Sequence, residues 1–311
     1  MKTLGIHHIS AIVGHPQVTI DFYATVLGLR LVKQTVNFDD PSTYHLYFGN
    51  QEGEPGTIIT FFPWPGARQG MIGDGQVGVT SYVIPKGSKE FWKKRLASFD
   101  IKVEETNRFG EDYLQFNDSQ GLQLELVERA DGKKNTWEFA GVSSDAAIQG
   151  FAGAILFSSH PFSTGELLHT GMGLQKIGED AYYTRYRSEG SIGNVIDVKK
   201  IPMGRGRSGA GTVHHLAFRA KDDQDQLQWK EHIEHLGYVV TPVKDRNYFH
   251  AVYFRERGGL LFEIATDPPG FTQDEDIEAL GKALKLPPQY EERREQIESI
   301  LLPIEVKDHI N

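Results

Sequence analysis

One order of predicted elements recurs four times along the sequence, and this repeat limits the possible folds more than any other feature. Each copy begins with an apolar strand, continues with a short amphipathic helix and ends with alternating strands separated by Gly, Asn and Asp turns. The opening strands are GIHHISAIV, VGVTSYVI, FAGAILFSS and TVHHLAFRA. Such βαβββ modules, about 50 to 60 residues each, predict curved mixed sheets that enclose cavities.

The sequence therefore predicts an α+β fold of four βαβββ modules forming two curved mixed-sheet half-barrel pairs. Residues 1–145 hold the first two modules and residues 146–270 the last two. Short helices are predicted over residues 17–28 and 163–171. Residues 271–311 contain two predicted helices, DEDIEALGKALKL and PQYEERREQIESIL, and we expect this helical tail to pack on the outside.

Composition excludes several classes of protein. The 33 Lys and Arg residues are outnumbered by 42 Asp and Glu residues and are scattered, which disfavours a nucleic-acid surface. No apolar run reaches the length of about 18 residues that a membrane span needs, and the N-terminal apolar stretch is too short for a signal peptide. We therefore expect a cytoplasmic protein. With no cysteine, any metal must be bound by His and carboxylate side chains.

Adjacent histidines occur in two of the opening strands. His7 and His8 lie in the first module, and His214 and His215 lie at the same place in the fourth. Because alternate strand residues point to opposite faces, both members of a pair can enter one cavity only if the strand is irregular. A single pair is more often structural than metal-binding. Two pairs at matching positions of two repeats favour a shared metal site.

Glu263 is the candidate for a third ligand. It lies in GGLLFEIATD, and a carboxylate among so many apolar residues is costly to bury unless it is paired, protonated or bound to a cation. An ion pair with Arg255 or Arg257 is one alternative. Metal binding is the other, because two histidines and one glutamate form the facial triad of non-heme Fe(II) oxygenases, which leaves three positions for substrate and oxygen.

The segment YFRERGGLLFE resembles the signature of ring-cleaving dioxygenases in the vicinal-oxygen-chelate superfamily. The residues that match it are Tyr253, Glu256, Gly259 and Glu263. Arg257 replaces a proline of the signature. Arg246 stands where catechol-cleaving members have a histidine, as in the hydroquinone-cleaving branch that this sequence resembles. The resemblance covers nearly all 311 residues.

This resemblance implies an Fe(II)-dependent dioxygenase that opens a hydroquinone-type or catechol-type ring with O2. It implies that the metal ligands are His8, His215 and Glu263, a set that also accepts Mn(II). Because His8 belongs to the first module and the other two to the fourth, we expect these modules to share a cavity and the middle modules to pair with each other.

The middle modules provide a comparison without paired histidines. Val79 and Ala154 stand at the positions that we match to the ligand histidines. Glu125 lies in GLQLEL, which resembles GLLFEI around Glu263, and we interpret it as a relic or a structural carboxylate.

Other candidate residues lie beside the predicted ligands. His7 and His214 are catalytic candidates because imidazole titrates near neutral pH; strict strand alternation instead predicts that they form hydrogen bonds outside the cavity. Ser10, two residues after His8, is predicted to face the cavity and bind substrate.

Two further residues are assigned to substrate. Tyr253 is predicted to form a hydrogen bond to substrate or bound oxygen, provided that a bulge in RERGG brings it to the face of Glu263. Arg246 either orients a phenolate or caps a surface loop.

Two alternative functions remain open. A metal-dependent lyase of the glyoxalase kind uses four protein ligands, but the residue that corresponds to Glu263 in the first module is Thr60, a poor ligand. Three ligands favour oxygen chemistry, although thiol transferases of the fosfomycin-resistance kind also use three. The second alternative is a non-catalytic protein that sequesters an aromatic drug, but the bleomycin-binding relatives lack metal ligands, and the three candidate ligands present here count against it. The expected partners are a small aromatic substrate and O2, with no nucleic acid or membrane; homo-oligomerisation is left open.

Overall fold

The computed structural model describes residues 1–309, and its strands form two eight-stranded mixed sheets. The strands of the first two modules are β1 (Ile6–Val13), β2 (Arg30–Asn37), β3 (Asp40–Gly49), β4 (Ile58–Pro63), β5 (Gln76–Ile84), β6 (Glu104–Arg108), β7 (Glu111–Asn117) and β8 (Gln123–Glu128). Those of the last two are β9 (Gly150–Phe157), β10 (Gln175–Glu179), β11 (Tyr183–Arg187), β12 (Val195–Lys199), β13 (Thr212–Ala220), β14 (Lys244–Asp245), β15 (Phe249–Arg255) and β16 (Leu261–Pro269).

The first and last modules build one sheet, and the two middle modules build the other. The strand orders are β14-β15-β16-β13-β1-β4-β3-β2 and β10-β11-β12-β9-β5-β8-β7-β6. The predicted fold class and the pairing of the first module with the fourth are confirmed. Each half of the chain, 1–145 and 146–270, therefore contributes one module to each sheet.

The helices pack against the sheets, and those predicted over residues 17–28, 163–171 and 288–301 are shorter than their sequence patterns predict. They are α1 (Pro16–Ile20), α2 (Lys89–Ser98), α3 (Pro161–Glu166), α4 (Asp223–His235) and α5 (Arg294–Ile300). Their buried side chains, such as Trp92 of α2 and Trp229 of α4, join a large apolar core that also contains Ile9 and Ala11 of β1. Within residues 1–309, no helix has the length and apolarity to cross a membrane.

The single helices predicted over residues 17–28 and 163–171 are wrong in their geometry. Helix α1 is followed by a π-helical segment, Asp21–Val26, and α3 is followed by a π-helical segment, Leu167–Gly171. Backbone bonds that span five residues, such as Leu27 N–H to Phe22 O, replace the α pattern there. The same change occurs in the first and third modules, so it is a property of the repeat.

The tail also departs from its prediction. The first predicted tail helix, residues 274–286, contains only the 3-10 turn Ile277–Ala279, and a second 3-10 segment, Pro288–Arg293, precedes α5. The backbone carbonyl of Ile277 accepts a hydrogen bond from the side chain of Arg30 in β2, at 2.5 Å. This contact with the sheet takes the place of a hydrogen bond within a helix. A further 3-10 turn, Phe271–Gln273, follows β16.

The first part of the tail lies against the concave face of the first sheet, which contradicts the predicted outer position. Phe271 and Leu280 are buried in an apolar cluster with residues of that face, including Tyr47 and Ala217. Lys33 of β2 lies opposite Tyr47 on the same face and is fully buried. Its ammonium group contacts Asp274 at 2.5 Å and also contacts Glu275. These pairs fix the tail in the half-barrel.

Candidate active site

A β-bulge at His7 brings both histidines of the first pair to one region. In the antiparallel pairing of β1 with β13, Ile6 lies opposite Phe218 and His8 lies opposite Ala217. His7 is therefore the extra residue, and its backbone departs from the alternation that would send its side chain to the opposite face. The irregularity that the sequence pattern required is present.

A second bulge stands at His214 in β13. Ser10 lies opposite His215, whereas Ala11 lies opposite Val213, so His214 has no partner of its own. The two bulges occupy equivalent places in two equivalent strands. The prediction that both residues stay outside the cavity is wrong for His214, which lines it, whereas His7 does not; each imidazole contacts the neighbouring histidine.

His8, His215 and Glu263 converge at the centre of the concave face. His8 Nε2 lies 3.3 Å from His215 Nε2 and 3.3 Å from Glu263 Oε2, and His215 Nε2 lies 2.8 Å from Glu263 Oε2. All three side chains are buried. One ligand atom from each residue lies within 4.8 Å of the other two, so the cluster could hold a metal ion.

The condition of Glu263 fits a bound cation. Within residues 1–309, neither carboxylate oxygen of this fully buried residue has a hydrogen bond of regular geometry, and Oε2 only approaches the Nε2 atoms of the two candidate-ligand imidazoles. Burial alone would raise the pKa of Glu263, but attraction to His8 and His215 holds the pKa below its usual range. An ionised carboxylate without hydrogen bonds is costly in a protein interior, and a divalent cation would offset that cost.

The histidines also fit a metal site. Burial lowers the pKa of His215 against the opposing effect of Glu263, so the imidazole is neutral at pH 7. His8 Nδ1 lies 3.0 Å from His7 Nδ1, and His215 Nδ1 lies 2.7 Å from His214 Nδ1. Each candidate ligand therefore uses Nδ1 for its neighbour and directs Nε2 to the centre. Metal-binding histidines generally have a partner of this kind on the second ring nitrogen.

Two of the candidate ligands, His8 and His215, border a small aromatic cavity of about 190 Å³, and Glu263 lies behind them. An engineered cavity of about 150 Å³ in another protein binds benzene, so this volume suits one aromatic ring. The cavity is lined by His8, Asn37, Phe38, Asp39, His45, Phe62, Trp64, His214, His215, Arg246, Phe249 and Tyr253. His214 is exposed to it, whereas the fully buried His7 is not part of the lining.

Tyr253 lies directly opposite Glu263 in the pairing of β15 with β16. Opposite residues of an antiparallel pair share a face, so the bulge that we expected in RERGG is not needed. Arg246 Nε donates to Tyr253 Oη at 3.2 Å, and both side chains line the cavity. Burial raises the pKa of Tyr253 above its usual range, and the phenol therefore keeps its proton at neutral pH.

Arg246 also closes the half-barrel. It follows β14, at one edge of the eight-stranded sheet, and its Nη2 donates to Asp39 Oδ2 at 3.1 Å. Asp39 lies in the turn between β2 and β3, at the other edge. The ion pair joins the two edges across from the central strands that carry the candidate ligands. Arg246 thus lines the cavity and also binds the turn that contains Asp39, and its role towards a phenolate stays a prediction.

Ser10 lies behind the cavity instead of lining it. Ser10 Oγ is 2.7 Å from Thr60 Oγ1, which is 2.8 Å from His45 Nε2, and His45 Nδ1 is 2.8 Å from Tyr47 Oη. All four side chains are buried. His45 forms part of the cavity wall with both ring nitrogens engaged, and Ser10 reaches the cavity only through this hydrogen-bonded chain.

The hairpin of the signature segment is organised by Glu256. Its carboxylate accepts from Gly258 N at 2.8 Å, Leu260 N at 2.9 Å and Thr164 Oγ1 at 2.8 Å. Glu256 therefore has a structural position between two modules. The proposed ion pair between Glu263 and Arg255 or Arg257 is absent; Arg255 donates to Gly259 O, and the Arg257 guanidinium lies 5.8 Å from the ring centre of Tyr238.

The matching region of the second sheet holds no histidine cluster. In the pairing of β5 with β9, the bulges fall at Gly78 and Ala152. Val79 therefore takes the place of His8, as predicted, but the place of His215 is taken by Gly153 and not by Ala154. The bulges shift the count by one residue, which the sequence pattern does not reveal.

Charged side chains fill that region instead. Glu125 accepts from Arg108 Nη2 at 2.9 Å and from Ser81 Oγ at 2.8 Å, and Arg108 Nε donates to Asp197 Oδ2 at 2.6 Å. Arg185 donates to the same aspartate. Of the two interpretations of Glu125, the structural carboxylate is the one that fits, because its oxygens are hydrogen-bonded where those of Glu263 are not.

Several cavity residues were missed by the sequence pattern. The turn residues Asn37, Phe38 and Asp39 and the aromatic Phe249 carry no motif, and only the curvature of the sheet brings them near the candidate ligands. Phe62 and Trp64 were among the aromatic candidates for a ring pocket and line the cavity. Phe62 lies in β4 and Trp64 directly follows this strand. Because residues two apart in a strand share a face, their spacing could have predicted that both side chains point to the same side.

Fold and site together define a class: proteins of βαβββ modules in which a curved sheet carries a metal-type cluster of two histidines and a glutamate. Residues 5–264 match the Glyoxalase/Bleomycin resistance protein/Dioxygenase superfamily, and the chain belongs to this superfamily.

Known proteins extend this result over the whole chain. The chain is 64% identical over 307 residues to the Bacillus subtilis (strain 168) protein named "Putative ring-cleaving dioxygenase MhqO", covering 99% of this chain and 98% of that protein. It is 36% identical over 303 residues to the chlorohydroquinone/hydroquinone 1,2-dioxygenase of Sphingobium indicum, covering 94% of each. A crystal structure of a "putative dioxygenase" from Bacillus subtilis subsp. subtilis str. 168 superimposes with a TM-score of 0.98 at 64% identity, covering 98% of this chain and 99% of that one.

Proposed function

We propose that the protein is an Fe(II)-dependent, extradiol-type ring-cleaving dioxygenase that opens a hydroquinone-type ring with O2. The observation that carries this proposal is the buried cluster of His8, His215 and Glu263 at the end of a cavity sized for one aromatic ring. The names of the relatives at 64% and 36% identity support the same reaction class.

His8, His215 and Glu263 would hold the metal. Two imidazoles and one carboxylate suit Fe(II), and they also accept Mn(II). When bound, the metal supplies the redox chemistry that allows O2 to react with the ring, and three protein ligands leave positions for both reactants. The surrounding protein supplies binding, orientation and proton transfer.

The aromatic walls would hold the ring and exclude water. Phe62 and Trp64 stack with their ring centres 5.8 Å apart, and Phe249 packs 4.9 Å from His8. A ring between these walls would have one hydroxyl oxygen beside the candidate ligands. Orientation of this kind lowers the entropic part of the barrier.

His214, Tyr253 and Arg246 would manage charge and protons. His214 faces the cavity next to a ligand, where it can accept the proton that a substrate hydroxyl loses. The Arg246 guanidinium would favour the resulting phenolate. Because Tyr253 Oη already accepts from Arg246, its own proton is available for donation to substrate or oxygen. His7 would act through His8 by fixing its tautomer.

Ser10 has an indirect role in this proposal. Its hydroxyl contacts Thr60, which in turn orients His45 in the cavity wall.

Thr60 also provides evidence on the lyase alternative. In the pairing of β1 with β4, Thr60 lies opposite Ser10, as Glu263 lies opposite Ala217 in the equivalent strands. A hydroxyl therefore stands where a fourth carboxylate ligand would have to be, which favours oxygen chemistry over a four-ligand lyase.

Oxygen uptake tests the proposal directly. Protein loaded anaerobically with Fe(II) is given methylhydroquinone or catechol in an oxygen electrode, beside His8→Ala. We expect uptake with methylhydroquinone, little with catechol, and none in the variant. A protein that binds one Fe per chain but consumes no oxygen with either substrate would overturn the assignment.

A further inference from the structure

The cavity has two chemically different ends. The candidate ligands stand on β1, β13 and β16, the middle strands of the first sheet. The opposite end is the seam where the two sheet edges meet, formed by the turn residues 37–39; Arg246 extends from Asp39 at this seam to Tyr253 on the ligand side. A ring with one oxygen at the ligand end therefore directs its para position to the seam.

Asn37 presents an available donor at this seam. Its Oδ1 accepts the backbone N–H of Asp39 at 2.9 Å, which forms a local Asx turn. The carbonyl end of the amide is therefore engaged in the turn. The Nδ2 group makes no hydrogen bond to residues 1–309, and the half-buried side chain lines the cavity. Two N–H donors in the cavity wall are thus without a partner among the described residues.

The turn that carries Asn37 is fixed on both sides. Asp39 is bound by Arg246, and the backbone carbonyl of Phe38 accepts a hydrogen bond of 2.8 Å from Tyr290 Oη of the tail. A donor on a fixed turn loses little freedom on binding, which is the condition for a specificity contact.

We infer that Asn37 is a specificity-determining residue that donates through Nδ2 to the second hydroxyl oxygen of the substrate, para to the one at the candidate ligands. This inference rests on the proposed function. It explains a preference for hydroquinones, because the second hydroxyl of a catechol is adjacent to the first and does not extend to the seam. The neighbouring carboxylate of Asp39 is engaged with Arg246, so it does not compete for this hydroxyl.

Binding to Zn²⁺-loaded protein tests the inference apart from turnover, because Zn²⁺ has no redox chemistry. Calorimetry without oxygen compares the dissociation constants of hydroquinone and phenol, which differ only in the para hydroxyl. We expect wild-type protein to bind hydroquinone about threefold to tenfold more tightly, the effect of one neutral hydrogen bond. Asn37→Ala should remove this preference and leave the affinity for phenol unchanged.

Asn37→Ser is the matched variant. Serine still accepts the Asp39 N–H in the turn but is too short to reach the ligand, so it should lose the preference as fully as Asn37→Ala does. If Asn37→Ser keeps the wild-type preference, or if the wild-type protein binds hydroquinone no more tightly than phenol, the inference is overturned. The proposed function fails separately, by the absence of oxygen uptake in the Fe(II)-loaded protein.

Discussion

At the scale of single residues, the two members of each histidine pair differ in what they contact. His8 and His215 direct Nε2 towards Glu263, while His7 and His214 meet them through Nδ1. His7 touches neither the cavity nor Glu263. Its polar contact with the site is His8, whose ring it orients.

His7→Leu should weaken metal binding without removing a ligand. Loss of the partner on His8 Nδ1 leaves the ring free to turn, and losses of this kind cost about 10- to 100-fold in metal affinity. Competition titration with a chromophoric chelator measures the Zn²⁺ dissociation constant. His235→Leu is the control, because His235 is exposed and bonds only to its own helix. Equal affinity in all three proteins would contradict the role of His7.

At the scale of elements, the tail is fixed in the concave face by a buried charge. Lys33 is fully buried, lies 4.9 Å from the ring centre of Tyr248, and is neutralised by Asp274 and Glu275. Tyr248 Oη also donates to Asp274 at 2.9 Å. Ion pairs and a hydrogen bond therefore connect the tail to β2, and each buried charge in this network is neutralised by another.

Lys33→Met should destabilise the protein strongly. Removing one partner of a buried pair leaves the carboxylates uncompensated, at a cost of about 3–5 kcal/mol. Urea unfolding measures the free energy. Lys2→Met is the matched control, since the Lys2–Glu189 pair is exposed and should change the free energy by less than about 1 kcal/mol. Similar values for both variants would show that the buried network is not needed.

The second sheet contains an element-scale network that titrates. Glu111 accepts from Arg129 and Arg185, and although burial would raise its pKa, Arg129 and the other partners lower the pKa of Glu111 to about 2. A carboxylate whose pKa is depressed by folding stabilises the protein above its unfolded pKa. That contribution is lost as the pH falls from about 4.5 towards about 2.

Glu111→Gln should therefore be less stable than wild type at pH 6, and the difference should shrink as the pH falls below about 4.5. Denaturant unfolding at pH 6, 4 and 3 follows this change. Asp145→Asn serves as control, because Asp145 is exposed and pairs only with Lys134 at the surface. A gap between wild type and Glu111→Gln that stays constant with pH would refute the assignment.

At the scale of the whole molecule, the candidate metal site connects the two ends of the chain. His8 lies in the first strand and Glu263 in the last, with the complete second sheet between them in sequence. A cation bound there would be held only by the folded chain. Metal binding and global stability are therefore linked.

Zn²⁺ should raise the free energy of unfolding by about 2.7 kcal/mol when its free concentration is 100 times the dissociation constant. Chelation with EDTA should remove this gain, and His8→Ala should show little gain at the same concentration. Guanidinium unfolding with and without metal provides the values. A wild-type protein with the same stability in Zn²⁺ and in EDTA would argue against a metal at this cluster.

The sequence by itself determined the fourfold repeat, the candidate metal ligands and the pairing of the first module with the fourth. Matching histidine pairs in the first and fourth copies, with Glu263 in the latter, were enough to predict which modules share a sheet. These features are visible because hydrophobic alternation and chemically costly residues leave a local trace.

Only the tertiary structure decided the details that depend on register and curvature. The bulges at His7 and His214 place four imidazoles together, against the strict alternation that the pattern predicts. The tail lost its predicted helix to ion pairs with Lys33, a residue more than 240 positions away in sequence. Asn37 reached the cavity because the sheet curls until its edges meet. Each of these outcomes comes from contacts between distant segments, and such contacts leave no periodic signal in the sequence.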